Sequence, residues 1–282
     1  MPKPPYSSWM RYFSPTANHR RLGLVCLGVG VQQGLLPVVG PRALDHHVAV
    51  VVTRGRGWFS HGGRPPQPVA APALLWLVPG VEHHYGPDPE TGWDECFVDF
   101  AGHGVRAYTD LGYVTPDRPL VPLSGTEGVR HVVDVIVRAA RRGGPLLEVE
   151  AAAAVHGLLV ALRYARAEVS RHGDAVMDAL ARDALLPISV AEHAARLGIP
   201  LPELRAAVRR STGEGVKEYL LGIRLSRAKE LLARTDLPVA GIARRVGYED
   251  PAYFSRLFSR RVGMAPVRFR RQQSTLPRSQ GR

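Results

Sequence analysis

Asp236-Leu237-Pro238-Val239-Ala240-Gly241-Ile242-Ala243-Arg244-Arg245-Val246-Gly247-Tyr248-Glu249-Asp250-Pro251-Ala252-Tyr253-Phe254-Ser255-Arg256-Leu257-Phe258, closing on Ser259-Arg260-Arg261-Val262-Gly263-Met264-Ala265-Pro266, is the stretch from which the chain is best read. A short helix over about 239–246 sets Val239, Ile242, Ala243 and Val246 on one apolar face. Gly247 ends it, because glycine accepts the left-handed conformation a helix terminus needs. Asp250-Pro251 restarts a helix: aspartate caps an N-terminus, and proline loses nothing at the first helical position. In this second helix Phe254, Leu257 and Phe258 point inward, and Ala252, Ser255, Arg256 and Arg260 lie on another side. The pattern is a helix-turn-helix whose second helix has an outward face suited to a DNA major groove.

The pattern occurs once earlier. Val190, Ala194, Leu197, Gly198, Leu204, Val208 and Gly213 match Val239, Ala243, Val246, Gly247, Phe254, Phe258 and Gly263, offset by 49 residues before the turn and 50 after it. Between the copies, Glu218 to Leu232 forms one amphipathic helix. Two such units joined by a long helix resemble the DNA-binding domain of the AraC/XylS family of transcription regulators, over roughly 174–271. The resemblance rests on Arg224-Leu225 with Ala228 and Leu231-Leu232, on Ile242-Ala243 with Val246-Gly247-Tyr248, on Tyr253 to Phe258, and on Gly263-Met264-Ala265-Pro266. The alternative is an all-α bundle that binds no DNA.

The totals agree with a two-part chain. At 282 residues there is room for two domains with cores of their own. Residues 1–170 hold 16 basic and 14 acidic side chains, a net of +2, whereas 171–282 hold 21 and 11, a net of +10. The positive charge sits with the tandem motif, as phosphate neutralisation requires. Of the 37 basic residues 34 are arginine, which also fits a bias in genome composition. Cys26 and Cys96 cannot build a disulfide framework and read as buried thiols in a reducing compartment. No apolar run reaches transmembrane length and Met1 to Tyr12 lacks a signal-peptide core, so a cytoplasmic protein with no membrane partner is expected.

Residues 1–20 show no period; in the family such an arm covers the ligand pocket, and a plain tail fits equally well. From Leu22 to about Leu123, short apolar runs (Leu24–Val31, His47–Thr53, Gly57–His61, Ala73–Val78, Glu95–Phe100) alternate with Gly and Pro, which predicts an antiparallel barrel or jelly roll. Arg54-Gly55-Arg56-Gly57-Trp58-Phe59, Pro79 to Gly86 and Phe97-Val98-Asp99-Phe100 look like the cupin-like sensor barrel of sugar-responsive members of the family. Thr126–Arg142 and Leu146–Val169 read as two helices split by Gly143-Gly144-Pro145, an antiparallel hairpin on the barrel. The resemblance implies that the second helix dimerises the protein; a helix that merely caps the barrel is the other reading. The expected fold is therefore α+β: a barrel with its arm (1–123), a helical hairpin (124–169), a linker (170–173) and an all-α domain with two helix-turn-helix motifs (174–282).

Candidate site residues follow. On the second reader, Ala252, Ser255, Arg256 and Arg260 face the duplex: Arg256 can bond a guanine in bidentate fashion, and Ser255 can reach a base or a phosphate. On the first, Pro200 supplies no side-chain cap, Ala206 stands where the family often has arginine, and Arg205, Arg209 and Arg210 remain, mainly for phosphates with one base read by Arg205. In the barrel, Arg42, His46, Trp58, Tyr85, Glu95 and Phe97 are candidates for a small, sugar-like effector, since sugar sites stack a ring and fix hydroxyls with polar groups. Tyr85 sits in a motif shaped like that of arabinose sensors. Glu95 and Phe97 stand where those sensors have histidine and tryptophan, and Arg42 is two residues from the position of their arginine, so the ligand is left open. A metal site is not expected: His46 and His47 are adjacent on one strand and point to opposite faces, so they cannot ligate together. No cofactor and no catalytic residues are expected. The resulting expectation is a ligand-controlled, dimeric regulator that binds double-stranded DNA, and RNA polymerase if it activates; the rivals are a metal-dependent cupin enzyme with a DNA-binding tail and a regulator whose barrel is purely structural.

Overall fold

The computed structural model describes residues 6–166 and 169–274; residues 1–5 of the expected arm, 167–168 beside the expected linker and 275–282 lie outside the described residues. The chain divides into two units, Met1–Arg171 and His172–Arg282.

The first unit begins with β1 (Tyr6–Tyr12), α1 (Ala17–Arg20), β2 (Val25–Gly34), β3 (Val39–Arg42) and β4 (His47–His61). It continues through β5 (Gln67–Ala70), β6 (Ala73–Leu77), β7 (His83–Pro87), β8 (Trp93–Ala101), α2 (Gly104–Asp110), β9 (Leu120–Pro122), α3 (Glu127–Arg142) and α4 (Leu147–Ala165). The strands pair in the order β1-β2-β8-β4-β6-β9, and β4 also pairs with β5 and β7, which in turn pairs with β3. All these pairings are antiparallel. The expected barrel is thus an antiparallel sheet rolled on β4, which serves both parts. Arg54-Gly55-Arg56 does not interrupt β4, as the sequence reading had it; a bulge between Val52 and Arg54 bends the strand instead. Gly55 makes the bend possible: it has φ +88°, and a Cβ there would lie 2.4 Å from the Gly92 carbonyl oxygen.

Alternation along each strand sorts the side chains into two cores. One face of the sheet carries Cys26, Val29, Ala49, Val51, Leu74, Trp76, Cys96, Val98 and Phe100, and packs against Val129, Val133, Ile136, Val155, Leu158 and Leu162 of α3 and α4. The hairpin is therefore part of the first unit's core. The opposite, inward face holds Val48, Val50, Val52, Phe59, Leu75, Leu77, Tyr85, Trp93 and Phe97. Residues 6–12, for which the sequence left arm and tail both open, add an edge strand along β2 from Tyr6↔Gly34 to Tyr12↔Gly28.

The second unit is helical: α5 (Val169–Asp183), α6 (Val190–Arg196), α7 (Leu201–Thr212), α8 (Val216–Arg234), α9 (Val239–Arg245), α10 (Pro251–Val262) and α11 (Pro266–Ser274). Ser170 to Gly173, expected as a linker, fall in the first turn of α5. One glycine there costs only about 1 kcal/mol of helix propensity, too little to force a break. The repeat is geometric: α9 follows α6 by 49 residues and α10 follows α7 by 50. Each reader helix buries side chains into its own core, Leu204, Ala207 and Val208 in one and Phe254 and Phe258 in the other. Each ends on a left-handed glycine, Gly213 (φ +74°) and Gly263 (φ +81°).

Gly247, in the turn between α9 and α10, and Gly213, at the end of α7, differ in what glycine does for them. A Cβ on Gly247 (φ +84°) would meet the Leu185 carbonyl oxygen at 2.6 Å, whereas Gly213 (φ +74°) has open space around it. Gly213→Ala should cost about 1 kcal/mol of left-handed strain, and Gly247→Ala clearly more because backbone must move as well. Urea unfolding of the two variants decides this; equal losses would mean that the contact at Gly247 is soft.

Candidate functional site

The second unit presents a surface made by α7 and α10. On α10, Asp250 accepts a hydrogen bond from the Ala252 N–H at 2.8 Å and Pro251 fills the first turn, as the sequence predicts. Ala252, Arg256 and Arg260 are exposed, while Ser255 is half-buried. The Ser255 hydroxyl donates to the Pro251 carbonyl at 2.8 Å, which leaves its oxygen free to accept only. On α7, Pro200 is the N-cap and makes no side-chain bond. Arg205, Arg209 and Arg210 are exposed.

The arginines of this unit include two contrasting sets. Arg196 pairs with Asp183 at 3.0 Å, Arg227 with Glu230 at 2.7 Å and Arg261 with Glu218 at 2.8 Å. Arg205, Arg209, Arg210, Arg256 and Arg260 have no carboxylate partner among the described residues. Cations that the protein does not neutralise are the ones a phosphate backbone can use.

A third kind is internal. Arg224 on α8 donates from Nε to the Ala184 carbonyl at 2.7 Å, from Nη2 to Leu186 at 2.6 Å and from Nη1 to Gly247 at 3.4 Å. Its guanidinium lies 5.3 Å from the Tyr248 ring centroid. Arg224 thus fixes the end of α5 and the turn of the second reader to the same helix. His193 on α6 is buried with neither ring nitrogen hydrogen-bonded. Burial, then the charge of Arg224, lowers its pKa and keeps the imidazole neutral.

In the first unit, the inward face of the rolled sheet gathers polar groups. Tyr85, Glu95 and Phe97 are buried there, as predicted. Trp93 joins them, its indole N–H donating to Glu95 Oε2 at 2.9 Å. Burial pushes the Glu95 carboxyl up to about 7, against the lowering effect of that bond. Burial, then the charge of Glu95, raises the Tyr85 hydroxyl. Arg42 donates from Nε to His83 Nε2 at 3.4 Å, and His46 Nε2 lies 3.7 Å from Asp99 Oδ1. The Asp99 carboxyl is raised by burial and held back by the charges of His46 and Arg42.

Trp58 does not join this group. Its β4 neighbour Phe59 packs with Tyr85 on the inward face, so alternation turns Trp58 outward, where it meets His84 edge-on at 4.6 Å. Trp93 and Asp99 were missed, although stepping by two from Glu95 and Phe97 along β8 reaches both. Tyr12 had no sequence signal: β1 brings it over Gly28, where a Cβ would stand 2.7 Å from the tyrosine ring and 2.4 Å from Asp99 Oδ2. Among the described residues no group of three or more His, Cys, Asp or Glu could hold a metal ion.

Comparison with known proteins matches both units. Residues 36–159 fit the family model described as AraC-like ligand binding domain, and residues 193–272 that described as helix-turn-helix domain. The arabinose operon regulatory protein of Salmonella typhimurium is 28% identical over 249 residues, covering 82% of this chain and 85% of the relative. Its counterpart from Escherichia coli is 28% identical over 252 residues, covering 82% of each. The HTH-type transcriptional activator RhaR of an Enterobacter species is 46% identical over 67 residues, 24% of each chain. A ligand-binding sheet domain ahead of a doubled helix-turn-helix defines a ligand-responsive transcription regulator. The chain belongs to the AraC/XylS family.

The raised Glu95 pKa sets a sign for stability. The unfolded carboxyl ionises near 4.5 and the folded one near 7, so the folded state loses stability between those values as pH rises and levels off above them. The total is about 3 kcal/mol at 1.36 kcal/mol per unit. Glu95→Gln should flatten this part of the profile in thermal melts between pH 5 and 8; parallel wild-type and variant profiles would place the titration elsewhere.

Proposed function

We propose that the chain regulates transcription by reading two successive major-groove segments with α7 and α10, under control of a small polyhydroxylated ligand on the inward face of the first unit. The observation that carries the first part is the row of exposed, uncompensated arginines on both reader helices. In this reading Arg256 reads a base, Arg205 reads another, and Arg209, Arg210 and Arg260 hold phosphates beside Ala252 and Ser255. Footprinting on promoter DNA next to the gene should show two protected turns per subunit, and one protected turn would overturn the double reader. Arg256→Ala should cost about 1–3 kcal/mol and relax the choice at one position. Arg210→Ala should weaken all sequences alike and lower the salt slope by about 1.

For the ligand, Tyr85, Phe97 and Trp93 offer aromatic faces, and Glu95, Asp99, Arg42 and His46 offer hydroxyl partners. The two relatives named for the arabinose operon support a sugar-like molecule. The Glu95 and Asp99 carboxylates set its chemistry in this chain.

The protein acts as a cytoplasmic dimer, contacts RNA polymerase where it activates, and carries out no catalysis. No helix among the described residues is long and apolar enough to cross a membrane, which fits that setting. The dimer forms through α4, whose Val149, Val160 and Tyr164 stay exposed although the helix is otherwise packed on the sheet, with Tyr164 at 82% exposure. Val160→Glu combined with Tyr164→Glu should yield monomers in sedimentation and weaken DNA binding; a variant that remains dimeric would move the interface off α4.

A further inference from the structure

The turn between β4 and β5 encloses a second cavity, of about 250 Å³, together with the segment that leads into β9. Its floor is apolar, with Phe59 and Leu120, and its walls carry His61, Arg64, Gln67 and Arg118. Both arginines are held by their backbone rather than their charge. The Ser60 hydroxyl donates to the Arg64 carbonyl at 2.6 Å, and the Thr115 hydroxyl to that of Arg118 at 3.2 Å. Neither guanidinium has a carboxylate partner among the described residues. With Asp117 on the rim, the lining keeps one net positive charge.

His61 adds an independent observation. Its Nε2 is buried and has no hydrogen-bond partner. A buried polar atom left without a partner costs about 1–3 kcal/mol. Nε2 is closed to solvent as it stands, and a turn of the His61 ring toward the cavity would let a ligand atom remove that cost. Burial, followed by the charge of Arg64, lowers the His61 pKa, so the ring is neutral and able to donate one N–H.

We propose that this cavity is a binding site for a small organic acid. Two guanidiniums from separate segments clasp its carboxylate or phosphate, the His61 Nε2–H and the Gln67 amide donate to it, and Phe59 and Leu120 cover its apolar body. Guanidinium forks match the oxygens of both anions, and such charge-assisted bonds are the strong ones. The cavity lies below the size of drug-binding pockets, which excludes nucleotides and favours acids of about a dozen heavy atoms. It adjoins the inward face through Phe59, which meets Tyr85 edge-on at 6.5 Å, yet shares no charged group with Glu95 or Asp99.

The test uses the full chain and calorimetry at constant ionic strength, with benzoate and phenyl phosphate as probes and benzyl alcohol as the neutral counterpart. At least one acid should bind more tightly than the alcohol, and which acid does so assigns carboxylate or phosphate. Arg64→Gln and Arg118→Gln should each weaken it about tenfold, the loss of one charged hydrogen bond. Tyr85→Phe should leave it unchanged, which separates this site from the polyhydroxylated-ligand site. The proposal is overturned if neither acid outbinds the alcohol. It also falls if the Arg64→Gln/Arg118→Gln double variant, folded by its melting curve, binds as well as wild type.

Discussion

The DNA-binding half depends on where one guanidinium is placed. Arg224 sends its three donors to carbonyls of Ala184, Leu186 and Gly247 and leans on Tyr248. The first two belong to the chain just after α5, and the last two to the turn of the second reader. Those carbonyls end helices or turns and have no partner within their own element, so a planar fork of donors suits them where an ammonium would not. This also accounts for Gly247: a side chain there would press on the Leu185 carbonyl and stand 3.1 Å from the Arg224 guanidinium carbon. Burial first, and the half-buried Arg224 guanidinium second, lower the His193 pKa, since a second positive charge there would face both desolvation and repulsion.

In the sensing half the corresponding constraint is the absence of side chains. Gly28 and Gly30 occupy inward positions of β2, and a Cβ on Gly30 would come within 2.2 Å of the Phe97 ring. Glycines there let aromatic and acidic groups of β8 fill the space instead. The carboxyls so enclosed are poorly solvated, and each has only limited compensation: one indole N–H for Glu95, the charges of His46 and Arg42 for Asp99. Groups held in that state gain more from a hydroxyl partner than solvated ones would, which supports the polar ligand proposed for this face.

The second unit was legible almost in full, because its information is local. Helix period, Gly247, Gly263 and Asp250-Pro251 each act within a few residues, and the repeat doubles every signal. The 49- and 50-residue offsets read from side chains reappear as offsets between helices. The sheet was legible only where strands are apolar and long. β3, β5 and β9 have three or four residues each and little pattern, and β1 is polar because it is an edge strand. Trp58 went astray for a related reason: one uncertain step of register turns a strand side chain to the opposite face. Arg224 stood in the sequence as a motif residue, but nothing in its neighbourhood announces three carbonyls, two of them about 40 residues away.

Charge is the remaining constraint on the second unit. It holds more cations than its acids can neutralise: Arg224 is held on carbonyls, Arg196, Arg227 and Arg261 in surface ion pairs, and five arginines of α7 and α10 are among those with no carboxylate partner among the described residues. A surface ion pair contributes at most about 1 kcal/mol, so pairing there is weak evidence of purpose, and the unpaired set is the informative one. Leaving five arginines uncompensated on two helices raises self-repulsion without any return in the isolated protein. In the proposed reading the return comes when a polyanion gives up its own counterions to meet them, and two reader helices in one unit suit a duplex followed along one face.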